Sequence, residues 1–124
     1  MANLIAAKPA VLVFWATDAQ NDEEMGALQK AAVEKGIDAV AVDSKDNAVA
    51  ARQYFEGKGW NRIMLLMDTE QRVKVLYDVS AAPVYFLIRK DGVIHDKLGI
   101  TLKPDLERKL DELIRLPTCA LGLA

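Results

Sequence analysis

Val11-Leu12-Val13-Phe14-Trp15-Ala16 is an unbroken run of six apolar residues rich in β-formers. A run of this length and composition reads as a strand buried on both faces, so its sheet needs a layer above and a layer below. A helix is expected next, from Asp22 to Lys35. Asn21 is placed as its N-cap and Glu24 as the capping-box partner three residues on. Asp22, Glu23 and Glu24 suit the positive end of the helix dipole. Met25, Leu28 and Ala32 supply its apolar stripe, with Ala31 beside it, and Gly36 its stop.

The alternation continues. Asp38 to Asp43 reads as a second strand, and a helix runs from Ser44 through Tyr54 and Phe55 to a stop at Gly57 and Gly59. Ile63 to Met67 is a third strand, followed by a short helix around Gln71 to Tyr77. Val84 to Arg89 and Val93 to Leu98 flank the Lys90-Asp91-Gly92 turn, whose Asp-Gly pair signals a hairpin. Pro104 at a first helical position opens the last helix, carried by Leu106, Leu110, Leu113 and Ile114, and Pro117 ends it. The order βαβαβαββα implies an α/β protein. Its sheet of about five strands is mixed and mostly parallel, with helices on both faces and an antiparallel closing hairpin.

At 124 residues the chain fits one domain, placed at residues 8–116 with terminal extensions at 1–7 and 117–124. A 52% hydrophobic content supplies a core. A formal net charge of −2 gives no general attraction to nucleic acid or anionic membrane. No apolar stretch reaches the roughly 20 residues that span a bilayer. The first seven residues lack the basic region of a secretory signal, so a cytoplasmic location is the simplest expectation; an extracytoplasmic one follows if a leader has been removed.

The ordered set of Phe14-Trp15-Ala16-Thr17, Tyr77-Asp78-Val79, Pro83, Phe86-Leu87-Ile88 and Asp91-Gly92 resembles the thioredoxin-like superfamily, in particular its TlpA/ResA-like branch of thiol-disulfide oxidoreductases. The resemblance covers about Lys8 to Leu116. It implies the thioredoxin-like three-layer sandwich and a cis Ala82–Pro83 bond. It also implies a groove beside that proline which pairs with extended substrate segments. That branch places Trp-Cys-x-x-Cys after the Trp-Ala-Thr stretch. Here the chain reads Asp18-Ala19-Gln20-Asn21-Asp22. An ungapped alignment puts Ala19 and Asp22 at the two cysteine positions; aligning Met25 and Leu28 with the family's helix implies a one-residue deletion instead, and either way no sulfur is present. The buried acid that thioredoxins place just before Phe-Trp-Ala is Val13, and the residue after the proline is Val84. Dithiol chemistry needs a thiolate favoured by the helix N-terminus. Here that N-terminus meets three carboxylates instead.

The expectation is therefore a redox-inactive thioredoxin-fold protein that binds a protein or extended peptide. Its groove is assigned to Trp15, Thr17, Asp18, Ala81, Ala82 and Pro83. An enzymatic alternative is a divergent thiol-disulfide oxidoreductase or antioxidant protein using the single cysteine, Cys119, as a monothiol. A third is a structural subunit of an oligomer. Asp18, Asp22, Glu23 and Glu24 have the oxygen ligands of a hard-cation site but lack the ligand alternation and turn glycine of a calcium loop, so they read as capping charges. His95 stands without a partner motif and reads as structural or solvent-facing. No cofactor or metal is expected.

Overall fold

The structure, a computed structural model, describes residues 8–79, 82–99 and 101–115. Five strands run β1 Ala10–Phe14, β2 Asp38–Asp43, β3 Ile63–Met67, β4 Val84–Ile88 and β5 Ile94–Leu98. Four helices separate or follow them: α1 Asp22–Glu34, α2 Ala48–Lys58, α3 Arg72–Leu76 and α4 Lys103–Arg115. The element order is the expected one. The sheet order is β3-β2-β1-β4-β5, with β1, β2 and β3 parallel and β4 and β5 antiparallel to their neighbours.

Side chains alternate across a strand, and here the alternation separates two cores. Val11 and Val13 of β1, Ala39 and Ala41 of β2, Ile63 of β3, and Tyr85 and Leu87 of β4 point into the larger core. Met25 and Leu28 of α1, Phe55 of α2, and Leu106, Leu110 and Leu113 of α4 close it. The intervening residues Leu12, Phe14, Val40, Val42, Val84 and Phe86 form a thinner second core under Val73, Tyr77 and Val79. β1 and β2 therefore need apolar residues at almost every position, while the edge strand β3 leaves Met64 66% and Leu66 42% exposed.

Several boundaries differ from expectation, each for a local reason. The strand expected to reach Ala16 ends at Phe14, although the Trp15 N–H still donates to Val42 O at 2.9 Å. Asn21 precedes α1 but makes no side-chain cap, so the Asn21–Glu24 capping box does not form. The second helix starts at Ala48 rather than Ser44. The Asp43 carboxylate accepts the N–H groups of Lys45 and Asp46 at 2.9 Å each, which holds the chain in a turn until Asn47 caps Ala50 N at 2.8 Å. Gly57 stays inside that helix, and Gly59 alone ends it, at φ 75°. Lys103, not Pro104, begins α4. Pro117, Ser80, Ala81 and Cys119 lie outside the described residues.

Candidate binding groove

The β1–α1 connection, where the resemblance places a redox motif, is held by partners that give each residue a structural task. Thr17 donates its N–H to Asp46 Oδ2 at 2.8 Å and its hydroxyl to Asp46 Oδ1 at 3.0 Å. Asp18 forms an ion pair with Lys45. Ala19 donates its N–H to Ala16 O at 3.0 Å and packs at the margin of the larger core. Gln20 turns the chain at φ 58°. Asp22 accepts the Tyr54 hydroxyl at 2.9 Å and meets Lys58 Nζ at 3.0 Å. Ala19 and Asp22, the two cysteine positions of the resemblance, thus hold a packed methyl and a paired carboxylate. The four acids considered for a cation do not converge: among the described residues no group of three or more His, Cys, Asp or Glu is placed to hold a metal.

Asn21 does what no cap would. Its side chain turns inward, and Nδ2 donates to Tyr85 Oη at 2.7 Å in the buried interior. Burial pushes the Tyr85 phenol up to about 12, so it stays neutral and serves as an acceptor.

Three aspartates at the ends of β2 and β3 set the loops around this connection. Asp43 is fully buried, and its Oδ2 has no partner among the described residues. Burial, followed by the neighbouring Asp46 carboxylate, raises Asp43 to about 6. Partial burial would raise Asp46 too, but the neighbouring Asp43 carboxyl and the hydrogen bonds donated by Thr17 outweigh it and hold Asp46 below the usual carboxylate range. Asp68 is also buried, which alone would raise it. Donation from Lys74 N at 2.9 Å, Val73 N at 3.1 Å and Ser44 Oγ at 2.8 Å holds it low instead. These contacts tie the α3 N-terminus to the loop after β2.

Between that loop and α3 lies a cavity of about 500 Å³. Phe14, Val42 and Val79 of the thinner core line it, and Ser44, Lys45, Gln71 and Lys74 contribute polar groups, with Asp18 and Ala82 also on its wall. Ala82 is exposed, Pro83 is buried, and the bond between them is cis. Of the residues assigned to the groove, Trp15, Asp18 and Ala82 line this cavity; Thr17 and Pro83 flank it in sequence, and Ala81 lies outside the described residues. Trp15 lines the cavity while its ring is packed into the larger core. It is 2% exposed, and its ring packs edge-on against Phe55 at 4.9 Å, Tyr54 at 5.3 Å and Trp60 at 6.1 Å. Sequence reasoning missed Lys45, Gln71 and Lys74. Only their positions just after β2 and at the start of a short helix hinted at them. His95 lies away from this site, with Nε2 3.6 Å from Glu112 of α4.

The fold defines the class: this is a thioredoxin-fold α/β protein whose Cys-x-x-Cys positions carry no sulfur. Within that class the chain is similar to the thiol-disulfide oxidoreductases ResA of Bacillus thuringiensis (strain Al Hakam) and Bacillus anthracis. Each is 29% identical over 111 residues, covering 86% of this chain and 64% of the relative. The chain therefore spans under two thirds of the length of the curated relatives it matches. Among solved structures, Mycobacterium tuberculosis DsbF superposes with a TM-score of 0.72 at 23% identity, covering 86% of this chain and 81% of its own. A secreted M. tuberculosis disulfide oxidoreductase homologous to E. coli DsbE gives 0.75 at 21%, covering 86% and 83%. A thioredoxin-like protein of Porphyromonas gingivalis gives 0.72 at 25%, covering 89% and 78%. No protein-family model matches the chain. Among the described residues no helix is long and apolar enough to cross a membrane.

Proposed function

We propose that this chain is a redox-inactive thioredoxin-fold module that binds an extended protein or peptide segment along Ala82, beside the cavity under α3. One observation carries the reading: an exposed Ala82 borders a cavity, while the neighbouring motif positions hold Ala19 and Asp22, each committed to structural contacts. A dithiol exchange step needs two sulfurs in reach of each other, and the single cysteine of the chain cannot provide them. Strand-like recognition needs only backbone donors and acceptors and a place for alternate side chains.

The test is capture of partners by the tagged protein, wild type against Ala82→Arg, on reducing and non-reducing gels. A noncovalent partner lost in Ala82→Arg, with the circular dichroism unchanged, supports the groove. Capture that is indifferent to Ala82→Arg rejects it. The thiol-disulfide chemistry named for the ResA relatives supports a second reading, in which Cys119 acts as a monothiol. That reading requires a reductant-sensitive adduct or turnover that vanishes in Cys119→Ser.

A further inference from the structure

We propose that the cavity selects an extended segment carrying an apolar side chain and, two residues along, an Asp or Glu. This rests on the groove reading above and specifies its ligand. The cavity floor is apolar, since Phe14, Val42 and Val79 belong to the thinner core and also line the opening. Its ionisable lining residues are Asp18, Lys45 and Lys74, a net positive set. Asp18 is paired with Lys45. Lys74 is half-buried at the wall and joins no ion pair among the described residues. One cation is thus left on a polar wall above an apolar floor.

The frame that presents Lys74 is built into the fold. The Lys74 N–H is bonded to the buried Asp68 carboxylate at 2.9 Å, which fixes the start of α3. Gln71 next to it is held at φ 60°, a backbone region that side chains rarely adopt, with its amide 3.4 Å from Ser44 O. Tertiary contacts, rather than local preference, therefore set this rim. A segment running extended past Ala82 presents same-face side chains two residues apart, about 7 Å. An apolar residue entering the cavity then carries its next same-face neighbour to the rim. Charge complementarity with Lys74 makes an acidic residue the favoured one there.

The test uses fluorescein-labelled, β-prone nonapeptides that differ only at their centre: Leu-Thr-Glu, Leu-Thr-Gln, Leu-Thr-Lys and Ser-Thr-Glu. Binding is followed by fluorescence anisotropy with wild type, Lys74→Glu, Lys74→Gln and Ala82→Arg. Leu-Thr-Glu is expected to bind wild type about five-fold tighter than Leu-Thr-Gln, the scale of one partly exposed ion pair, and tighter still than Leu-Thr-Lys. Lys74→Gln should erase the preference, Lys74→Glu should reverse it, and high salt should shrink it. Ser-Thr-Glu should bind more weakly than Leu-Thr-Glu, because the floor offers it no polar partner. Equal affinities for the first three peptides, unmoved by Lys74→Glu but lost in Ala82→Arg, overturn the acidic selectivity and keep the groove. Affinity unaffected by Ala82→Arg, or no binding of any peptide at millimolar concentration, overturns the groove and this inference with it.

Discussion

Asp43 ends β2 with its carboxylate out of water and only one oxygen bonded within the described structure. Its native value of about 6 lies above the ordinary 3.8 of the unfolded chain. Between those values the folded protein holds a proton that the unfolded chain has released. Its contribution to stability is therefore full below the unfolded value and is lost as pH rises through the native one. Going from pH 7 to pH 5 should raise stability through this group by about 1 kcal/mol, since a tenfold difference in proton affinity between the folded and unfolded chain is worth about 1.4 kcal/mol. Asp43→Asn should lose that dependence in urea unfolding at the two pH values; an unchanged slope would show that Asp43 ionises normally. Asp46 and Asp68, both held low, act with the opposite sign: their contribution disappears only as pH falls below the ordinary carboxylate range. Tyr85→Phe leaves the buried Asn21 amide without its acceptor and should cost about 1 to 3 kcal/mol in the same measurement. A loss below about 0.5 kcal/mol would mean that Asn21 finds another partner or turns outward. Neither role was legible in the sequence. Asn21 beside three acids looks like a cap, and the competing acceptor, Tyr85, is 64 residues away.

The elements themselves were largely readable, and their edges were not. β2 and β3 fall where the apolar runs fall, β2 because it is buried on both faces and β3 because one face still packs on the larger core. The start of α2 moved by four residues because the side chain of Asp43 competes for backbone donors that a helix would otherwise order. α3 is a different case. Five residues are too few to form a helix alone. It persists because Asp68 accepts from its first turn and because Val73 and Tyr77 cover the thinner core. Asp68→Ala should therefore cost about 2 kcal/mol and speed hydrogen exchange at the amides of Val73 and Lys74 before the rest of the domain. Exchange that rises uniformly across the chain would assign Asp68 to global stability instead. Asp22→Ala should be milder, under about 1 kcal/mol, because its pairing with Lys58 is exposed to solvent.

Across the molecule as a whole, the two faces of the sheet bear unequal loads. The larger core gathers α1, α2 and α4, and Lys35, just after α1, also pairs with Asp111 of α4 across that layer. Among the described residues the opposite face has one short helix over it. Leu110→Ala, at a fully packed site, should cost about 2 to 5 kcal/mol, whereas Met64→Thr on the exposed edge should stay within about 0.5 kcal/mol. Comparable losses at both sites in chemical denaturation would mean that the thin face is covered in solution. The α/β order, the buried strands and the lack of a cysteine pair after β1 were all legible along the chain, because strand and helix periodicities and residue chemistry are local properties. Folding had to settle that Asn21 faces Tyr85, that Trp15 is sealed among Tyr54, Phe55 and Trp60, and that Lys74 meets Lys45 and Ala82 around one cavity. Those outcomes depend on strands far apart in the chain lying side by side, and on which partner reaches a buried polar group first.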